Sequence, residues 1–273
     1  RDAMQGVEEF IPTKLKVKYI NSLLKVGFDV IDFGSFVSHK AIPQLKDTSK
    51  VLRGLDLSQT KSQLLSIVAN ERGACEAASY DEISIIGFPF SVSEQFQLRN
   101  TNKTRSEALK NIQNIKLICN KFNKKLRVYM SMGFGNPYGE LFSSKIVLQW
   151  AKKLKEIGVE EIALSDTIGV AEPEVIQSLF KLLVQELKGV EISAHFHSSP
   201  NSWEEKVREA FAAGCLSFDS AIGGFGGCPL AEDKLVGNLA TENLVNFFSN
   251  QLDSDFSLEK FHVSVDMAKE VFG

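Results

Sequence analysis

The chain has 273 residues, 44% of them hydrophobic and 24% charged, with a formal net charge of −3 and a pI near 5.9. That length suits one large α/β domain with a full core, and the charge balance gives no electrostatic reason to expect nucleic acid or an anionic membrane as partner. There is no run of about 18 apolar residues to form a transmembrane helix, and Arg1-Asp2 opens without a signal-peptide pattern. The four cysteines, Cys75, Cys119, Cys215 and Cys228, lie far apart with no Cys-x-x-Cys. Reduced thiols in a cytoplasmic protein are expected, not a disulfide framework.

Strand and helix patterns alternate along the chain. After a turn behind Arg1-Asp2, Thr13 to Val26 carries Leu15, Ile20, Leu23 and Leu24 near helical spacing, with lysines and Asn21 between them. Thr13 is the expected N-cap after Pro12, and Gly27 the expected stop. Phe28 to Phe33 reads as a buried strand, followed by a polar loop and a helix through Leu52. Leu64 to Ala69 is a strand, a short helix starts at Glu71, and Glu82 to Gly87 is the next strand. Ser106 to Phe122 is a helix with Ala108, Ile112, Ile115, Cys119 and Phe122 on one face. Leu126 to Met132 is a strand, Ser143 to Ile157 a helix, and Glu161 to Asp166 a strand. Pro173 suits the first turn of a helix reaching Leu187. Glu191 to His197 is a strand, Trp203 to Ala213 a helix, Leu216 to Ala221 a strand and Thr241 to Leu252 a helix.

Seven strands, each followed by a helix, imply a parallel sheet. A (β/α)8 TIM barrel is expected, with its first strand upstream of Arg1. The chain reads as a single TIM-barrel catalytic domain over residues 1–273, with a C-terminal helical extension. A doubly wound open sheet would call for Gly-x-Gly-x-x-Gly opening a helix near the front, and none is there.

Barrel active sites lie at the C-terminal ends of the strands. The polar residues predicted there are Arg1, Asp2, Asp32, Ser35, Asn70, Asp166, Thr167, His195 and His197, then the loop Gly223-Gly224-Phe225-Gly226-Gly227-Cys228-Pro229 and Gly237-Asn238. On a strand, residues i and i+2 share a face, so His195 and His197 project together with Phe196 turned away. Two adjacent neutral imidazoles suit a divalent metal, although a bare His-x-His also occurs as ordinary packed histidines. Asp32 and Asp166-Thr167 fit a cap or a turn as readily as a site. The glycine-rich loop, holding a thiol over the barrel mouth, has the composition of a lid.

Arg1-Asp2-Ala3-Met4-Gln5-Gly6, Ser35-Phe36-Val37-Ser38, Asp166-Thr167-Ile168-Gly169, His195-Phe196-His197, Gly224-Phe225-Gly226-Gly227-Cys228-Pro229 and Gly237-Asn238-Leu239-Ala240-Thr241-Glu242 occur in that order. Together they resemble the 3-hydroxy-3-methylglutaryl-CoA lyase family, within a barrel superfamily of metal-dependent carbon–carbon lyases, aldolases and synthases. The resemblance runs from Arg1 to about Leu252. The Ser-Phe-Val-Ser run and the Gly-Gly-Cys-Pro loop belong to the lyase branch. The synthase branch carries Glu-Arg before its Gly-Asn, where Leu235-Val236 stand here.

The resemblance implies that Asp2, His195, His197 and Asn238 ligate a divalent cation, Mg or Mn, with Zn and Co left open. It implies Asp2 or His195 as base, Arg1 facing the thioester oxygen, Asp32 orienting Arg1 or water, Cys228 helping to protonate the enolate, and Asp166 with Thr167 in support. It implies an acyl-CoA substrate, acetyl-CoA and a β-keto acid as products, and a homodimer. The chain departs from the family at Ser198-Ser199-Pro200, where Asp-Thr is usual, at Glu8 for a lysine, at Asp32 for a Glu, and by one extra residue between Cys228 and Asn238. An aldolase or Claisen-type synthase acting on another hydroxy or keto acid is the alternative, and a barrel without turnover a further one.

Overall fold

Short apolar segments rich in Ile, Leu, Val and Phe, covered on both faces, make the strands of this chain: Val30–Ser35 (β1), Gln63–Ile67 (β2), Ile83–Ser91 (β3), Lys125–Ser131 (β4), Glu161–Asp166 (β5), Glu191–Phe196 (β6) and Ser217–Phe218 (β7). The computed structural model describes residues 1–227 and 236–273. All strand pairs are parallel, in the order β1-β2-β3-β4-β5-β6-β7. Sequential parallel neighbours with a helix on each crossover curl into the wall of a TIM barrel.

Asp2–Gln5 (α1) and Thr13–Leu23 (α2) precede β1. Thr48–Arg53 (α3) follows β1, Glu71–Ala78 (α4) follows β2, and Glu94–Thr101 (α5) and Arg105–Lys121 (α6) follow β3. Ser144–Ile157 (α7), Pro173–Glu186 (α8), Trp203–Ala212 (α9) and Thr241–Phe247 (α10) follow the remaining strands in turn, and Leu258–Phe272 (α11) comes last. α11 packs back on α2, where Tyr19 meets Phe272 edge to face at 5.7 Å.

Local chemistry sets the helix ends. Thr104 and Glu107 form a reciprocal capping box at the start of α6, and Gly158 ends α7 in the left-handed region at φ +94°. Asn70, expected among the polar strand-end residues of the site, is instead the N-cap of α4. Its side chain accepts from Gly73 N at 2.9 Å. Thr13 is not the cap expected for α2; Pro12 holds that position, and Thr13 Oγ1 donates to Asp47 Oδ2 at 2.7 Å.

Two strands differ from their predicted lengths. β3 runs on to Ser91 because it keeps pairing with β4 after its pairing with β2 ends at Gly87. Pro89 therefore sits on a one-sided stretch, where a missing N–H is tolerated. β7 is only Ser217–Phe218, because beyond it the chain turns to the segment after the glycine loop. Ala221 N donates to Leu239 O at 2.9 Å, and Ala221 bridges Ala240. That detour lays Asn238 beside the end of β6.

Most of the core lies between sheet and helices. Inside the barrel the apolar packing is a small group, Leu65, Ile67 and Ile85, with Val30, Val37 and Tyr129 against it. Polar residues are buried there too: Arg127 donates to Ser193.

Candidate active site

β6 delivers the two histidines as its alternation requires. Phe196 turns outward and packs between Phe134 at 5.7 Å and Phe180 at 6.1 Å. His195 and His197 face the mouth with ring centroids 5.4 Å apart. Each ring spends its Nδ1–H on a fixed acceptor. His195 Nδ1 donates to Asp219 Oδ2 at 3.0 Å, and His197 Nδ1 to Val236 O at 3.0 Å. These acceptors select the tautomer with its lone pair on Nε2. Among the described residues, neither Nε2 has a hydrogen-bond partner. Burial and the neighbouring His195 hold the His197 pKa below the ordinary histidine value, which favours the neutral, ligating form.

The neighbouring part of the site is built from the first residues of the chain and from Asn238. Arg1 reaches β1 twice: its backbone nitrogen donates to Asp32 O at 2.7 Å and its Nε to Asp32 Oδ2 at 2.9 Å. Its Nη1 donates to Asp2 Oδ1 at 3.0 Å and Gln5 Oε1 at 2.9 Å, while Gln5 Nε2 donates to Asp2 Oδ1 at 2.7 Å. Asn238 bridges the end of β6 through His197. Its Nδ2 donates to Asp2 Oδ2 at 2.7 Å and to Phe225 O at 2.9 Å, which leaves its Oδ1 uncommitted. Burial pushes the Asp2 carboxyl up, but Arg1, the two histidines and Asn238 outweigh it, so it lies below the usual carboxylate range.

The glycine loop makes this approach sterically possible. A Cβ on Gly226 would stand 2.7 Å from Asn238 Nδ2 and 3.0 Å from both Asp2 O and Ala3 Cα, and its φ is +94°. Only glycine fits that contact and that backbone. Cys228 lies outside the described residues.

Asp2, His195 and Asn238 line one cavity, and His197 lies beside His195 and is bridged to Asn238. Among the described residues, no three His, Cys, Asp or Glu side chains stand close enough together to hold a metal ion by themselves, and the fourth donor is an amide. Two nitrogens and two oxygens with open positions suit a divalent cation of intermediate hardness, so the donor set fits such an ion.

The supporting residues divide. Asp166 accepts at Oδ2 from Lys206 Nζ at 2.6 Å and from Ala171 N at 3.1 Å. Lys206, buried on α9, also donates to Gly169 O at 2.9 Å and His197 O at 3.2 Å, so Asp166 holds the end of β6 from behind through this lysine. Thr167 Oγ1 accepts from Met132 N at 2.8 Å, tying the ends of β4 and β5. Asp32 lies within β1, not at its end, and serves Arg1. Glu8 is exposed and does not line the cavity, so its carboxylate does not bear on the site.

Several functional neighbours escaped the sequence reading. Arg127 Nη2 donates to Asp219 Oδ1 at 2.6 Å and to Ser193 Oγ at 2.8 Å, and Asp219 in turn receives His195. Burial pushes the Asp219 carboxyl up, but Arg127 and His195 outweigh it and hold it below the usual range. One available signal was Arg127 itself, a charge between the apolar Leu126 and Val128 in the body of a strand. The mouth opens into a cavity of about 780 Å³ whose lining includes Arg1, Asp2, Asp32, Tyr129, His195 and Asn238.

Comparison with known proteins adds four findings. The family model described as HMGL-like matches residues 1–268. Hydroxymethylglutaryl-CoA lyase YngG of Bacillus subtilis (strain 168) is 32% identical over 275 residues, covering 100% of this chain and 91% of the relative. The crystal structure of the B. subtilis HMG-CoA lyase superposes with a TM-score of 0.92 at 31% identity, covering 100% of this chain and 91% of that one. An HMG-CoA lyase from Acinetobacter baumannii, in complex with coenzyme A and 3-methylmalate, gives a TM-score of 0.92 at 27% identity, covering 100% of this chain and 88% of that one.

Proposed function

The chain belongs to the HMGL-like family, and on that premise we propose that it is a divalent-metal-dependent carbon–carbon lyase cleaving 3-hydroxy-3-methylglutaryl-CoA to acetyl-CoA and acetoacetate. One arrangement carries the reading: His195 and His197, each with its Nδ1 engaged, lie close enough to Asp2 to lower its pKa, and Asp2 is hydrogen-bonded by Asn238 and Arg1. The relative that holds coenzyme A and 3-methylmalate supports an acyl-CoA substrate.

Asp2, His195, His197 and Asn238 would hold the cation, Mg or Mn, whose Lewis acidity lowers the pKa of the substrate's C3 hydroxyl. Asp2 or His195 is the base for that proton. The C2–C3 bond then breaks. Its electron pair passes to C2 and onto the thioester oxygen as an enolate, and C3 becomes the ketone of acetoacetate. Arg1 faces the oxygen where that charge develops. Asp32 and Gln5 hold the guanidinium in place. Cys228 is the family-implied donor of the proton that converts the enolate to acetyl-CoA.

Cys75, Cys119 and Cys215 are unpaired, which suits a reducing compartment, and we place the enzyme in the cytoplasm. No helix of the described residues is long and apolar enough to cross a membrane.

The test is product analysis by NMR with the manganese-loaded protein. HMG-CoA is offered in parallel with free 3-hydroxy-3-methylglutarate and a 4-hydroxy-2-keto acid. Acetoacetate from the thioester alone is the expected result. Cleavage of the keto acid with HMG-CoA untouched would move the chain to the aldolase reading.

A further inference from the structure

We propose that Tyr129 is a further catalytic residue, whose hydroxyl hydrogen-bonds the thioester oxygen beside Arg1 and stabilises the enolate as the C2–C3 bond breaks. The assignment rests on the lyase reading and deepens it.

Alternation on β4 sends Arg127 and Tyr129 into the barrel while Val128 and Met130 are buried on the other face. The Tyr129 ring is fixed from three sides. The edge-to-face contact with His195 has centroids 5.5 Å apart at 82°. The Arg127 guanidinium carbon lies 5.2 Å from its centroid. On the β3 side it packs over Gly87, where a Cβ would stand 3.1 Å from Tyr129 Cε2. A phenylalanine would make all three contacts equally well. The hydroxyl is the one part of the side chain that the fold does not use.

That hydroxyl has no hydrogen-bond partner among the described residues, although the residue lines the same cavity as Arg1, Asp2 and His195. Tyrosine hydroxyls inside proteins normally find an acceptor. A pinned ring with an uncommitted O–H, on a residue lining that cavity, is a donor waiting for a ligand oxygen. Arg1 presents a second such donor. Its Nε and Nη1 are spent on Asp32, Asp2 and Gln5, and its Nη2 has no partner among the described residues. Arg1 and Tyr129 lie close enough to influence each other electrostatically. Two donors on one developing oxyanion are the arrangement that stabilises enolates and tetrahedral intermediates.

No proton leaves Tyr129. Burial pushes its pKa above the ordinary tyrosine value, so the phenol is protonated at neutral pH and acts as donor throughout. The C3 hydroxyl proton goes to Asp2 or His195, and the C2–C3 electron pair becomes the enolate. The Tyr129 hydrogen bond shortens onto the enolate oxygen and relaxes when C2 is protonated.

The experiment is Tyr129→Phe, which removes one oxygen and keeps the ring. Steady-state kinetics with HMG-CoA are run beside wild type, with Mn2+ titration calorimetry on both metal-stripped proteins. The expected result is a fall in kcat of about a hundredfold or more, a KM changed by less than about threefold, and an unchanged Mn2+ affinity. A kcat within about twofold of wild type overturns the assignment, as does a loss confined to KM. A kcat loss accompanied by weaker Mn2+ binding overturns it too, because the effect would then run through His195. Wild-type turnover with an unimpaired variant refutes the Tyr129 role alone. Absence of acetoacetate from wild type refutes the lyase reading and the assignment with it.

Discussion

Gly226→Ala tests whether the glycine loop is there to let Asp2 and Asn238 meet. The substitution carries two separable costs. An L-residue at φ +94° is strained by about 1–2 kcal/mol, which lowers Tm by roughly 2–8 °C in a chain of this size. The second cost is local. The new Cβ would lie 2.7 Å from Asn238 Nδ2 and 3.0 Å from Asp2 O, so the amide must leave its place. Loss of an ordered donor or its support costs about 10–100-fold in metal affinity, or about 1.4–2.7 kcal/mol. Gly189→Ala is the control, since Gly189 has φ +84° and nothing within 4 Å of a built Cβ. Both variants are followed by thermal unfolding and by Mn2+ calorimetry on the metal-stripped protein. Both should lose Tm, and only Gly226→Ala should lose Mn2+ affinity. Equal Mn2+ affinity in the two variants would refute the steric reasoning.

Asp219→Asn removes the anion that fixes His195 and leaves buried Arg127 without its ion-pair partner; Mn2+ affinity should fall about 10–100-fold, and an unchanged isotherm would remove Asp219 from the site. Burial pushes the thiols of Cys119 and Cys215 up to about 12, so in the folded protein neither should react with iodoacetamide at pH 8 while exposed Cys75 does, a pattern read by peptide mass spectrometry before and after unfolding. Burial also raises the Glu161 carboxyl above its ordinary value, more than Arg127 and Lys125 lower it. A raised folded-state pKa gives stability that is present at low pH and lost as pH rises through it. The Tm of Glu161→Gln relative to wild type should therefore climb between pH 4.5 and 7.5, and a flat or falling difference would contradict the assignment.

What was legible in the sequence was local or periodic. The run Glu191 to His197 showed its strand and its pair of same-face histidines because the period of two is written in adjacent residues. Alternation of strand and helix likewise gave the parallel sheet. The Asp219–His195 and Arg127–Asp219 contacts were not legible, because they join residues 24 and 92 positions apart and depend on the barrel's curvature. Asn70 and Thr13 show the reverse failure. A short polar residue at the end of a strand looks alike whether it faces a substrate or caps a helix, and only its acceptor or donor tells the two apart. Glu8 stood in a motif position beside the site, yet a loop has no periodicity to set a side chain's direction, and it points to solvent. α5 escaped because its apolar residues make a weak face.

The most direct test of the central claim is a titration of metal-stripped protein with Mn2+, following acetoacetate release from HMG-CoA. Release should be absent without cation, saturate at one Mn2+ per chain, and in Asn238→Ala require about 10–100-fold more Mn2+. Full release from the stripped protein, or a wild-type titration curve from Asn238→Ala, would contradict a lyase built on Asp2, His195, His197 and Asn238.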